Sequence, residues 1–214
     1  MVRAMSAFLQ RGLYGIAAAL LLVAGTRAAH APVDAPFASC VPDAAEAPQG
    51  AASDPAQRTL AGYLARRFTI APEAAQRIVG AAFDAGDASS LDPLLLLAMI
   101  AVESRFNPFA QSDNGAKGLM QIIPRYHLDK LAPLGGESAV LDPEANIRVG
   151  AQILQEYVAR AGSLEAGLQV YNGAADDASA QYAQKILAVR SRLEQAAYPG
   201  LRRAEIALNN AKGS

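Results

Sequence analysis

Residues 91–124, LDPLLLLAMIAVESRFNPFAQSDNGAKGLMQIIP, decide how this chain folds. Asp92 followed by Pro93 is a helix start, an N-cap side chain and a proline at the first helical position. From Leu94 through Leu95, Leu96, Leu97, Met99 and Ile100 scarcely a polar atom follows, so the helix is apolar on nearly every side and must be buried. Its last turn carries one carboxylate, Glu103. There the helix dipole is negative and apolar neighbours exclude water, and both effects favour the protonated carboxyl. An acid that keeps its proton near neutral pH is what general-acid cleavage of a glycosidic bond requires.

Beyond Glu103 the composition switches to Asn107-Pro108, Ser112, Asp113-Asn114-Gly115 and Gly118, residues that make turns and tolerate left-handed backbone. Leu119-Met120-Gln121-Ile122-Ile123 then predicts another short apolar helix. Taken together, Glu103-Ser104, Phe106-Asn107-Pro108, Ala110, Ser112, Gly115-Ala116 and Gly118-Leu119-Met120-Gln121 up to Pro124 resemble the catalytic motif of the soluble lytic transglycosylases. These are bacterial enzymes with a goose-type-lysozyme-like domain that cut peptidoglycan. Asn146-Ile147 with Gly150, and Tyr182 with Lys185, resemble later elements of the same pattern. Where the family has Tyr-Asn-Ala-Gly this chain has Tyr171-Asn172-Gly173-Ala174, so Tyr and Asn are kept and the glycine is displaced.

The resemblance implies an all-α, lysozyme-like (goose-type) single globular domain of about seven helices. It implies Glu103 as the catalytic acid and then base, and Ser112 and Gln121 as hydrogen-bonding partners of the N-acetylated sugar. Tyr171 should contact and orient Glu103, with Asn172 as a further sugar contact. Met120 belongs to the substrate site as apolar packing under the cleft, and Ile123 stands where many relatives have a second Met. The substrate would be peptidoglycan glycan strands, cut at the MurNAc-GlcNAc β-1,4 bond to leave a 1,6-anhydroMurNAc end. Ordinary glycosidases need two carboxylates. The nearest acids after Glu103 are Asp113, in a turn, and Asp129. A single carboxylate suffices if the substrate's N-acetyl group stabilises the charge at C1 and its 6-hydroxyl attacks. Two alternatives stay open: a hydrolytic muramidase using Asp113 or another acid, and a non-catalytic peptidoglycan-docking component of an envelope or secretion assembly.

The rest of the chain fits one small helical domain. Of 214 residues, 52% are apolar, much of that Ala, and Trp is absent, a composition suited to closely packed helices. Residues 1–31, with Arg3, Arg11 and an apolar block from Leu13 to Ala24, predict a cleaved signal peptide and a periplasmic, monomeric protein. The block is too short to span a membrane. Residues 32–53, rich in Ala, Pro, Asp and Ser, predict a linker, 54–198 the folded domain, and 199–214 a tail or short helix. Cys40, the single cysteine, excludes an intrachain disulfide and is read as an incidental thiol. Without residues 1–31 the chain keeps 16 basic against 20 acidic side chains, a net charge of −4. That balance argues against nucleic acid as a partner.

Within the domain, Ser53-Asp54-Pro55, Pro72-Glu73, Asp142-Pro143 and Ser163 read as helix starts. Leu60, Tyr63, Leu64 and Phe68 share one face of the first helix; Ala75, Ile78, Val79, Ala82 and Phe83 share one face of the second, which Gly86 to Ser90 should end. Ile147, Ala151, Leu154, Tyr157 and Val158 mark the inward face after Asp142. Leu164, Leu168 and Tyr171 mark the next, and Tyr182, Ile186, Val189 and Leu193 the last. His127 lacks His or Cys partners once His30 is removed with the leader, so it is read as a polar surface or groove-edge histidine and no metal site or cofactor is expected.

Overall fold

The computed structural model describes residues 54–198; the leader, the linker, Cys40 and the tail lie outside them. Seven α-helices make up this body: α1 Pro55–Phe68, α2 Pro72–Ser89, α3 Pro93–Glu103, α4 Leu128–Leu131, α5 Pro143–Ala161, α6 Leu164–Tyr171 and α7 Gln181–Ala197. Short 3-10 turns at Pro124–Tyr126, Ala132–Leu134 and Glu137–Leu141 join α3, α4 and α5. The all-α expectation holds. Among the described residues no helix is long and apolar enough to cross a membrane.

The helix starts follow the local chemistry. The side chains of Asp54, Asp92, Asp142 and Ser163 accept backbone N–H groups of Ala56, Leu94, Ala145 and Ala166, and a proline occupies the first position after each aspartate. α2 ends at Ser89 with Ser90 as its cap, inside the expected Gly86–Ser90 stretch, and Gly86 lies within its last turn. A Cβ at Gly86 would stand 2.8 Å from the Leu91 carbonyl oxygen and 3.0 Å from Pro93, and its absence lets α3 begin directly against α2.

α3 is flanked by α2 and α7, and every residue from Leu94 to Ile100 is at most 7% exposed. Burying each of its large apolar side chains contributes roughly 1.5–3 kcal/mol. That sum outweighs the partial desolvation of one carboxyl, which can respond by keeping its proton. Asp92 also pairs through its second oxygen with Arg190 of α7, tying the start of α3 to the last helix. Around this core α1 packs on α2 and α7, and α5 packs on α2 and α6.

The expected short helix at Leu119–Ile123 is not formed. Lys117 and Ile122 exchange backbone hydrogen bonds (2.8 and 3.0 Å), closing a four-residue turn in which Gly118 and Gln121 take positive φ (79° and 51°). Gly118 N–H bonds the Ala110 carbonyl and Ser112 N–H bonds the Ala116 carbonyl, so the segment folds into a small antiparallel ribbon. Asn146 of α5, 1% exposed, fastens it: its Oδ1 accepts Met120 N–H at 2.7 Å, and its Nδ2 donates to the carbonyls of Lys117 (3.1 Å) and Val140 (2.7 Å). A side chain at Gly118 would run into that amide and lie 2.7 Å from the Val140 oxygen. Tertiary bonds therefore override the apolar run.

Asn146→Ala strands the buried Met120 N–H and takes the amide donor from the buried Val140 carbonyl, while the Lys117 carbonyl keeps Ile122 N–H, so we expect a loss of roughly 3 kcal/mol in urea unfolding. A change within about 0.5 kcal/mol would mean the ribbon does not depend on this amide.

Candidate active site

Glu103 is the last residue of α3 and stands half-buried at the end of the apolar column. Its Oε1 accepts a 2.6 Å hydrogen bond from the hydroxyl of Tyr182, which α7 presents at 9% exposure. Burial raises the Glu103 pKa above its ordinary value; the Tyr182 bond and the Lys185 ammonium pull the other way without cancelling it. Burial, the facing carboxylate and the bond to it all drive the Tyr182 hydroxyl far up, so it stays protonated and always a donor. Among the described residues nothing donates to Oε2, and the formal charge acting on Glu103 is that of Lys185, with no second carboxylate contributing.

Between Tyr171 and Glu103, the contact expected from the sequence, there is no hydrogen bond among the described residues. Tyr171 donates instead to the Met120 carbonyl at 2.9 Å. Its own pKa is raised, chiefly by burial and then by the Glu103 charge, so it lies within electrostatic reach without being the orienting bond. Its ring meets that of Tyr157 edge-on, with centroids 6.2 Å apart. The orienting tyrosine is Tyr182, legible in the sequence as a core position beside Lys185 but without the role the structure gives it.

Met120 is fully buried, so its side chain reaches the cleft only as underlying packing. It rests on Gly150 of α5, where any Cβ would collide with its sulfur. Gln121, held at φ 51°, donates through Nε2 to the carbonyls of Ala110 (3.2 Å) and Gly118 (3.0 Å). Among the described residues its Oε1 accepts no hydrogen bond. Gln121 and Tyr171 line one small pocket of about 110 Å³ together with Ile123, Tyr126 and His127, which places His127 at a groove edge. Burial and the Lys130 charge lower the pKa of His127.

Ser112 and Asn172 are exposed. The Ser112 hydroxyl oxygen accepts Ala116 N–H at 3.1 Å, a turn bond that leaves the hydroxyl proton to donate elsewhere. Asn172 follows α6, its N–H capping the Leu168 carbonyl and its side chain unengaged among the described residues. Neither is hydrogen-bonded to Glu103, Tyr182, Gln121 or Tyr171. Among the described residues no group of three or more His, Cys, Asp or Glu side chains is arranged to hold a metal ion. What the arrangement can do is proton transfer: a half-buried carboxyl, held through one oxygen by a permanent donor, with its other oxygen open.

Residues 80–187 match the family model described as the Transglycosylase SLT domain. A transglycosylase of Enterobacteria phage PRD1 is 36% identical over 42% of this chain and 32% of its own length. An endo-type membrane-bound lytic murein transglycosylase A of Klebsiella pneumoniae is 43% identical over 33% of this chain and 37% of its own. The chain thus spans about a third of the curated relatives it matches. An inactive mutant of the lytic transglycosylase Slt of Pseudomonas aeruginosa superposes with a TM-score of 0.49 at 19% identity, covering 54% of this chain and 24% of that one.

Two outcomes follow from the electrostatics. In Tyr182→Phe the bond that lowers the Glu103 pKa is gone, so its titration, followed by carbon-13 NMR of the carboxyl, moves further up. No movement would mean that Tyr182 does not bond the ionised form. Because folding raises the Glu103 pKa, the stability this group contributes is whole below its ordinary 4.5 and is lost as pH rises through the raised folded value. Glu103→Gln should therefore gain stability relative to the parent as pH is raised from about 4 to about 8. A gap that stays flat or shrinks in urea unfolding contradicts the raised value.

Proposed function

The chain belongs to the transglycosylase SLT domain family, and from that premise we propose that it is a lytic transglycosylase of peptidoglycan with Glu103 as its one acid and base. The observation that carries this reading is a half-buried carboxyl with a raised pKa, a permanent Tyr182 donor on Oε1, and no second carboxylate bearing on it.

Glu103 protonated on Oε2 gives its proton to the glycosidic oxygen as the bond from C1 of MurNAc to that oxygen breaks. The carbonyl oxygen of the sugar's own N-acetyl group shares the positive charge at C1. The 6-hydroxyl then attacks C1, and its proton passes to the Glu103 carboxylate, which Tyr182 stabilises by its hydrogen bond in that state. Glu103 is thereby reset, no water is consumed, and the new end is 1,6-anhydroMurNAc. A buried acid is favoured for the first half and a donor on Oε1 for the second. Gln121 Oε1 and the Ser112 hydroxyl would hold polar groups of the N-acetylated sugar, with Asn172 as a further contact. Tyr171 keeps the Met120 turn in place beneath them. Export through residues 1–31 would bring the enzyme to the periplasm, where this substrate lies.

Incubating the protein with purified peptidoglycan should release muropeptides one water lighter than hydrolysis products, read by mass spectrometry. Glu103→Gln should lower their yield by a factor on the order of 10² to 10⁴. Hydrated reducing ends would make the enzyme a muramidase and demand a second carboxylate. Absence of products from the parent would favour a docking role.

A further inference from the structure

On the face formed by α1 and α7, against the residues that precede Glu103 in α3, lies a trough that the proposed chemistry does not use. Its upper part, about 340 Å³, is walled by Tyr63, Arg67, Phe68, Arg105, Lys185 and Arg192, with the Ala101–Val102 segment of α3 as its floor. A second hollow of about 340 Å³ shares Tyr63 and Arg192 with it and adds Arg66. Five cations therefore face two joined hollows, and no acidic side chain lines either. The described body holds sixteen acidic and thirteen basic side chains, so this concentration runs against its balance. The neighbouring acids are otherwise engaged: Asp92 and Glu194 both pair with Arg190.

The walls are held in place. Arg67 lies over the Phe68 ring, 5.5 Å from its centroid, and Phe68 stacks at 4.6 Å on Phe106. Arg105 and Phe106 take positive φ in succession (53° and 66°), the arrangement that buries Phe106 and leaves Arg105 on the trough. Among the described residues none of Arg66, Arg67, Arg105, Lys185 and Arg192 is in an ion pair.

We propose that this trough binds the carboxylate-bearing peptide branch of the wall strand, anchoring the muramic acid that carries it beside Glu103; the inference rests on the transglycosylase reading. Single carboxylates spread along a peptide suit cations spread along two helices, and aliphatic peptide segments suit the Tyr63 and Phe68 walls. A compact phosphate is suited less, since the trough is lined from the bodies and C-terminal halves of α1, α3 and α7 and offers no helix N-terminus. The floor immediately precedes Glu103 in the chain, and Lys185 both lines the trough and acts by its charge on Glu103. A branch on the sugar at Glu103 is thus delivered by its own tether, at high effective concentration.

The test uses the full chain and Arg67→Gln/Arg192→Gln, neither residue belonging to the proton-transfer machinery. In the Glu103→Gln background, NMR titration with a free wall peptide should shift resonances along α1 and α7. Amidating the peptide's carboxylates, or introducing the double substitution, should weaken that binding roughly tenfold. In turnover, the double variant should raise KM roughly tenfold on strands bearing their peptides and leave kcat unchanged. On strands stripped by an amidase both constants should match the parent. Equal losses on both substrates, no loss on either, or displacement of the peptide by equimolar inorganic phosphate would each overturn the assignment. Absence of product from the parent would count against the transglycosylase reading alone, since the peptide titration decides the trough independently.

Discussion

The 2.6 Å bond from Tyr182 to Glu103 joins two requirements that oppose each other. The apolar column of α3 removes water from the carboxyl and favours its protonated form, while the tyrosine favours the ionised form. The proposed role, in which Glu103 both releases and recovers a proton, is best served when neither state is strongly preferred. The remaining architecture makes this balance possible: α2 and α7 enclose α3, and the Asp92 to Arg190 pair sets α7 against the start of the helix whose end α7 must reach with Tyr182.

Much of this was legible in the sequence because it depends on neighbours along the chain. Asp-Pro pairs at 54–55, 92–93 and 142–143 announce their helices by local chemistry alone. An unbroken apolar run ending in one carboxylate told both the burial of α3 and the raised pKa of Glu103. Leu119–Ile123 was misread because a run of five has no period to separate helix from turn. What decides it is the Asn146 amide, which arrives from 26 residues later for Met120. The role of Tyr182 was not legible for the same reason: Tyr171 and Tyr182 sit on different helices, and only the packing of α6 and α7 settles which hydroxyl reaches Glu103 and which reaches Met120.

The charges sort by role. Some acids are spent on capping and pairing, at Asp54, Asp92, Asp142, Glu137, Glu156 and Glu194, and others stand on exposed helix faces and turns. Glu103 is left without an anionic neighbour to raise its pKa further, so desolvation sets the direction and Lys185 moderates it. A muramidase with two carboxylates would need a different distribution around this helix end.

Asn146 also has a kinetic meaning. One buried side chain closes the ribbon on Met120 and Lys117 and simultaneously holds the Val140 turn that leads into α5. Segments fastened by a shared bond cannot open one at a time. The amides of Lys117, Met120 and Ile122 should therefore exchange their hydrogens with solvent as a single cooperative unit, with a common opening free energy below that of the α3 core. The surface around the cleft would then fluctuate as one piece while the helix bearing Glu103 stays closed.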